Sequence, residues 1–225
     1  MGNIVIAVDW ENDKQPFWVR WTSIHWHIET LATTCLEWGG VMKETKHYPW
    51  YVKIIFWLQK RKYGDVLKSS LIWAKSPRIF LALSWLYGSI DRKNSPISPA
   101  LRSLVIVRIS QINGCSFCVD LNTTVLIERG VDLDKAEALS TWQLSSLFSD
   151  KEKLVLEYAE AVTDSTKKIS DRLKAEMNKI FNEEKLVELT ALIAFQNMST
   201  KFNNAFGVEP QGFCSIDIKS TLTRK

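Results

Sequence analysis

Between two helical runs lies Gln111-Ile112-Asn113-Gly114-Cys115-Ser116-Phe117-Cys118, the stretch that most constrains how this chain can fold. Upstream, Leu101, Leu104, Val105, Ile109 and Ile112 recur at three- and four-residue spacing, which marks one face of a helix. Downstream, a second helical pattern runs from about Cys115 to Arg129, with Leu121, Val125 and Leu126 as its apolar content. Gly114 stands where the first helix needs a left-handed residue to end. Cys115 then falls at the N-terminus of the second, where unpaired N–H groups and the positive end of the helix dipole favour an anion. A thiolate is such an anion and is the reactive form of cysteine. Residues i and i+3 share a helix face, so Cys115 and Cys118 can meet and cycle between dithiol and disulfide. On position alone, Cys115 is the favoured thiolate. The alternative is a pair of buried small hydrophobes.

The chain has 225 residues, enough for one domain with an appendage. Hydrophobic residues make up 46% and charged residues 24%, the balance of a soluble globular protein. The formal charge of +4 is spread along several helices, with no basic block to track a phosphate backbone, so no nucleic-acid partner is expected. The four cysteines, Cys35, Cys115, Cys118 and Cys214, include one close pair, which suits a reducing cytoplasm better than a disulfide scaffold. No run reaches the roughly 18 apolar residues of a membrane span, and no secretory signal is recognisable.

Residues 1–41 differ from the rest. They hold five of the ten tryptophans, together with His25 and His27, and show no sustained helical period. This reads as an N-terminal extension, with Met42 as a candidate start; an aromatic partner-binding arm is the alternative. From Tyr48 onward helical patterns dominate. A first helix closes on Lys60-Arg61-Lys62 and exits at Gly64, and a second covers about 65–75. Ser76-Pro77 opens a third that ends at Gly88, and Asp91–Ser98 is a polar connector. Ser98-Pro99 repeats the cap-plus-proline start. Asp132 can cap a short helix through Leu139, and Ser149-Asp150-Lys151-Glu152 is a capping box. Two further helices cover about Ser170–Phe181 and Glu183–Phe206, with Gly207 as the stop. Nothing alternates with a period of two, so the expected class is all-α, about eight helices. Residues 42–98 form helices packing on a core at 99–214, and 215–225 is a polar tail.

Leu101 to Gly130, with its Gln-Ile-Asn-Gly-Cys-Ser-Phe-Cys centre, resembles the alkyl hydroperoxidase D-like, or carboxymuconolactone decarboxylase, superfamily. The stretches Phe148–Glu152 and Glu188–Ala194 are similar to it as well. Tyr48–Asp91 and Phe202–Cys214 resemble a longer, peroxidase-related branch. The resemblance implies an alkyl hydroperoxidase D-like helical core, a homo-oligomer built from trimers, and reduction of organic hydroperoxides through the CxxC. An external dithiol donor would recycle the pair, and no cofactor is implied. It makes Cys118 the peroxide-attacking thiol and Cys115 the resolving one, the reverse of the helix-terminus argument.

The family's proton relay places a glutamate twelve residues before the first cysteine and a histidine four after the second. Here those positions are Ser103 and Asn122, and neither is a general base near neutral pH. The resemblance to the longer branch implies an aspartate-plus-asparagine version as usual there, and on that resemblance the change defines a subtype rather than a dead enzyme. Asp120 and Glu128 are the nearby carboxylates, with Asp120 pointing away from the pair on a regular helix. Arg108 falls on the apolar stripe and needs a partner or a function; it either pairs elsewhere or supports a thiolate. Cys214 is either a tail cysteine or a third thiol near the pair.

Three other readings compete with a thiol peroxidase or disulfide oxidoreductase. One is a non-enzymatic helical oligomer or oxidant sensor. Another is lactone decarboxylation, which needs no dithiol. The last is a zinc site from Cys115, Cys118 and Cys214, which lacks a second CxxC or a histidine pair. If residues 1–41 are an extension, deleting them leaves folding and solubility intact, and a loss of either, read by circular dichroism and yield, would refute that.

Overall fold

The computed structural model describes residues 47–166 and 168–214, all within the unit Thr45–Lys225. The stretch 1–41 with His25, His27 and Cys35, the candidate start Met42 and the tail 215–225 lie outside the described residues. The described chain is all-α, without a strand. Its helices are α1 (Trp50–Tyr63), α2 (Lys68–Trp73), α3 (Pro77–Ile90), α4 (Pro99–Ile112), α5 (Ser116–Glu128), α6 (Leu133–Ala138), a 3-10 helix (Leu139–Leu144), α7 (Asp150–Thr163), α8 (Asp171–Ile180) and α9 (Glu183–Ala205).

Helix starts follow local chemistry. Ser98, Ser149, Ser170 and Asn182 each accept a backbone N–H of the first turn, which removes one orphan donor. At Ser149 the box is complete, because Glu152 reaches back to the Ser149 N–H at 2.8 Å. Three local expectations are corrected. Gly88 lies inside α3, which runs on to Ile90 because that side chain is buried with Ile97 in the main core. Asp132 occupies the cap position of α6 without a side-chain cap bond. The 3-10 helix was not expected; it turns Leu139 and Trp142 inward three residues apart, the spacing of one 3-10 turn.

The central element is α4, with ten of its fourteen residues buried. A helix apolar on one stripe packs on one neighbour; one buried all round lies in the middle of a fold. One side of α4 (Leu101, Val105, Ile106, Ile109) meets α7, α8 and α9. The other (Leu104, Val107) meets Leu126, Leu139, Trp142 and Leu156. Helices α1 to α3 build a separate small core around Val52, Ala74 and Phe80. That layer reaches α9 through Trp73, whose ring stacks on Phe202 with centroids 3.4 Å apart.

Burial on all sides forces polar residues of α4 to find partners. Arg102, 3% exposed, donates from Nε to Asp91 Oδ1 at 2.8 Å. Arg129 binds Asp91 Oδ2 and donates from Nη1 to Ser103 Oγ at 3.0 Å. Burial alone would raise the Asp91 carboxyl, but Arg129 and then Arg102 outweigh it and hold it below the usual carboxylate range. Asp91, expected as part of a polar connector, is therefore the anion that joins α3, α4 and the end of α5. Because its folded-state pKa is depressed, its contribution is complete above the unfolded value of about 3.9 and is lost as pH falls through the folded value. Asp91→Asn leaves two arginines uncompensated and is expected to cost about 3 kcal/mol at neutral pH. Urea titrations from pH 7 down past pH 4 check this: the variant loses part of the wild-type acid slope, and equal slopes would refute the assignment.

Candidate functional site

The turn between α4 and α5 closes by a Schellman pair. Gly114 sits at φ 63°, its N–H reaches Gln111 O at 3.1 Å, and the Cys115 N–H reaches Ser110 O at 3.0 Å. The chain thus leaves α4 and enters α5 within one turn. Cys115 is the N-cap of α5 and its Sγ accepts the Cys118 N–H at 3.3 Å. The two cysteines are paired as a disulfide, Cα atoms 5.3 Å apart, and both are buried.

One side of α9 secures this turn. Gln196 donates to Ser110 Oγ at 2.8 Å, at the end of α4. Asn113 Nδ2 donates to Asn197 Oδ1 at 2.8 Å and Thr200 Oγ1 at 2.9 Å, and Asn204 donates to the Asn113 carbonyl at 2.7 Å. At the next level Asn203 Nδ2 donates to Cys118 Sγ at 3.2 Å, while its Oδ1 accepts from Ser69 Oγ of α2 at 2.6 Å. Asn203 and Ser69 were not anticipated. Asn203 lies 85 residues beyond Cys118 and Ser69 lies 134 residues before Asn203, so no local spacing marks them.

Cys118 opens onto a pocket of about 400 Å³, within the range of small-molecule sites. Helix α5 contributes Phe117, Cys118, Leu121, Asn122 and Val125, and α9 contributes Phe195, Gln196, Ser199 and Asn203. The outer wall is the α1–α3 layer, including Ile55, Leu58, Tyr63, Trp73, Phe80 and Tyr87. Among the described residues Lys62 is the one charged side chain of the lining, and Cys115 does not line the pocket. The two cysteines therefore differ: Cys118 lines the pocket, and Cys115 does not but accepts the Cys118 N–H as the cap of α5.

The other sequence-derived candidates separate into two groups. Asn122 lines the pocket, and its Nδ2 donates to the Cys118 carbonyl at 2.7 Å. Ser103, Arg108 and Asp120 are engaged elsewhere. Ser103 accepts from Arg129 and is not a lining residue. Arg108 donates to Glu160 at 2.7 Å and also to Gln111 and the Ser140 carbonyl, so it is paired across the core and not aimed at a thiolate. Trp142 Nε1 joins the same Glu160 oxygen at 2.7 Å. Glu128 is exposed at the end of α5.

Asp120 is fully buried and holds the segment after α9. Its Oδ2 accepts the Gln211 and Gly212 N–H groups at 2.8 Å each, and its Oδ1 accepts that of Cys214 at 2.7 Å. Both of its oxygens are engaged by backbone N–H groups of this segment, and it is not among the pocket-lining residues. These bonds also bring Cys214, a free thiol, to the helix that carries Cys118. Among the described residues no group of three or more potential metal ligands forms. Asp120→Asn replaces one acceptor oxygen by a donor facing N–H groups, which should weaken local closure by about 2 kcal/mol and speed modification of the Cys214 thiol roughly thirtyfold. Timed reaction with a chromogenic disulfide measures this; an unchanged Cys214 rate would mean that the tail is held without Asp120.

The carboxymuconolactone decarboxylase family matches residues 64–161, a span that includes α2 to α6, the cysteine turn and most of α7. The uncharacterized protein YnjA of Escherichia coli is 43% identical over 163 residues, which are 72% of this chain and 90% of that protein. Among solved structures, a peroxidase-related protein of a Silicibacter species superposes with a TM-score of 0.69 at 18% identity, covering 76% of this chain and 90% of its own. The debrominase Bmp8 superposes at 0.66 with 21% identity, covering 76% and 90%. At those identities the two superpositions speak for the fold, while the length and identity of the YnjA match speak for descent, and the chain belongs to the carboxymuconolactone decarboxylase family.

Proposed function

We propose that this protein is a thiol-dependent peroxidase, a disulfide oxidoreductase that reduces organic hydroperoxides through Cys115 and Cys118. The observation that carries the reading is the asymmetry of the pair: Cys118 lines a largely apolar pocket, while Cys115 does not line it and caps α5. In the reduced state the Cys118 thiolate attacks the terminal oxygen of the hydroperoxide. The O–O bond breaks, the alcohol leaves after taking a proton from solvent, and Cys118 becomes a sulfenic acid. Cys115 attacks that sulfur, water leaves, and the disulfide forms. An external dithiol then returns two electrons by thiol–disulfide exchange.

The pocket supports a substrate with an apolar body, since aromatic and aliphatic side chains dominate its walls. Asn122 and Asn203 bring amides to Cys118, and neither moves a proton near neutral pH. Relative to a site with a general base, turnover should be slower by about 10²–10⁴. The reading includes a reducing compartment such as the cytoplasm, where a recycling dithiol is available. It includes a trimer-based homo-oligomer too; Trp50, Trp57 and Trp85 on α1 and α3 expose apolar surface of the kind that self-associates.

The test is chemical. The reduced protein receives one equivalent of an organic hydroperoxide, and intact and peptide masses are followed over time. The expected result is loss of two hydrogens, mapped to Cys115–Cys118. Cys118→Ser should stop oxidation of the pair, and Cys115→Ser should leave a sulfenic acid on Cys118 that a dimedone-type reagent traps. Absence of oxidation over many minutes would sink the peroxidase and leave a helical assembly with a structural disulfide.

A further inference from the structure

We infer that Asn203, oriented by Ser69, is the positioning residue that selects Cys118 as the thiolate of the pair. This deepens the dithiol reading above and rests on it. Cys118 is buried, and burial disfavours an anion unless donors replace the lost water. The side-chain amide of Asn203 is such a donor, 3.2 Å from the sulfur and itself 2% exposed. An amide can face its donor or its acceptor end to a neighbour, and Ser69 decides which. Its hydroxyl donates to Asn203 Oδ1 at 2.6 Å, which turns Nδ2 toward Cys118.

The bond differs between redox states. A disulfide sulfur is a weak acceptor and a thiolate a strong one, so the amide favours the reduced, ionised form of Cys118 over the other forms. Cys115 Sγ has a different donor, the Cys118 backbone N–H at 3.3 Å, and does not face the pocket. Position at the helix N-terminus and donation by Asn203 thus act on different sulfurs, and only the second acts on the sulfur that a substrate can reach. Asn203 is also neutral at every accessible pH, so the donor is present whatever the proton inventory of the pocket.

The experiment needs no peroxidase turnover. Fully reduced full-length protein is pulsed with iodoacetamide from pH 5 to 10, and alkylation of Cys118 and Cys214 is scored by peptide fragmentation. For Asn203→Ala the Cys118 midpoint should rise by about one to two pH units, the size of one hydrogen bond to a charged group. Ser69→Ala, which keeps the amide but frees its orientation, should give a smaller rise in the same direction. The Cys214 midpoint should stay where it is in both. The Cys115–Cys118 disulfide should also become harder to reduce against glutathione, because its reduced form has lost a stabilising contact.

If Asn203→Ala does not fold, Ser69→Ala alone decides. An unmoved Cys118 midpoint in a folded variant, or equal movement of Cys118 and Cys214, overturns the assignment. A wild-type protein that hydroperoxide fails to oxidise would defeat the proposed function, while the midpoint shift would still be read independently.

Discussion

Gln196, Thr200 and Asn203 are buried along one side of α9, where they have no water to bond, and the turn between α4 and α5 takes them up. Gln196, Asn197, Thr200, Asn203 and Asn204 lie within less than three turns of one helix. Together they grip the last turn of α4, the Asn113 that ends it and the sulfur of Cys118. Loosening the bonds of Gln196, Thr200 or Asn203 would leave a buried donor or acceptor unpaired, which costs more than the bond itself contributes. The ladder therefore makes the turn rigid, and the rigid turn gives the two sulfurs different surroundings: a helix cap for Cys115 and a pocket with an amide for Cys118.

Charges near the cysteines serve architecture. Asp120 holds the returning tail by three N–H groups, Arg108 is bound to Glu160, and Ser103 belongs to the Asp91 cluster through Arg129. Each is a polar group that a crowded interior obliged to find a partner. The pocket is left with neutral polar groups, aromatic walls and Lys62. Such a site suits chemistry in which the sulfur itself is the reactive centre. One amide there, that of Asn203, donates to Cys118 Sγ, and that of Asn122 donates to the Cys118 carbonyl.

Much of this was legible in the chain because the determining contacts are local. Ser98-Pro99, the Ser149–Glu152 box, Gly64, Gly114 and Gly207 report helix ends through interactions that span five residues or fewer. Gly114 in particular predicts the left-handed turn and with it the placing of Cys115 at a cap. Where sequence reading failed, a distant neighbour had overridden a local preference. Gly88 does not stop α3, because burial of Ile90 extends the helix past it. The 3-10 helix exists because Leu139 and Trp142 both face the core and Trp142 reaches Glu160 from α7. Asp91 reads as one polar residue in a connector, yet two arginines, eleven and 38 residues away, converge on it.

The sequence by itself determined the helical class, the order of the helices and a spacing that lets Cys115 and Cys118 meet. Those properties depend on periodicity, caps and an i, i+3 spacing, all carried by neighbours along the chain. Only the tertiary structure decided which sulfur meets a pocket, which amide donates to it, and that Arg108, Asp120 and Ser103 face other tasks. Asn203 reaches Cys118 from 85 residues away and Ser69 orients it from another 134. Contacts of that reach arise from how helices pack side by side, and packing is set by the whole set of buried surfaces at once, not by any stretch that can be read in order.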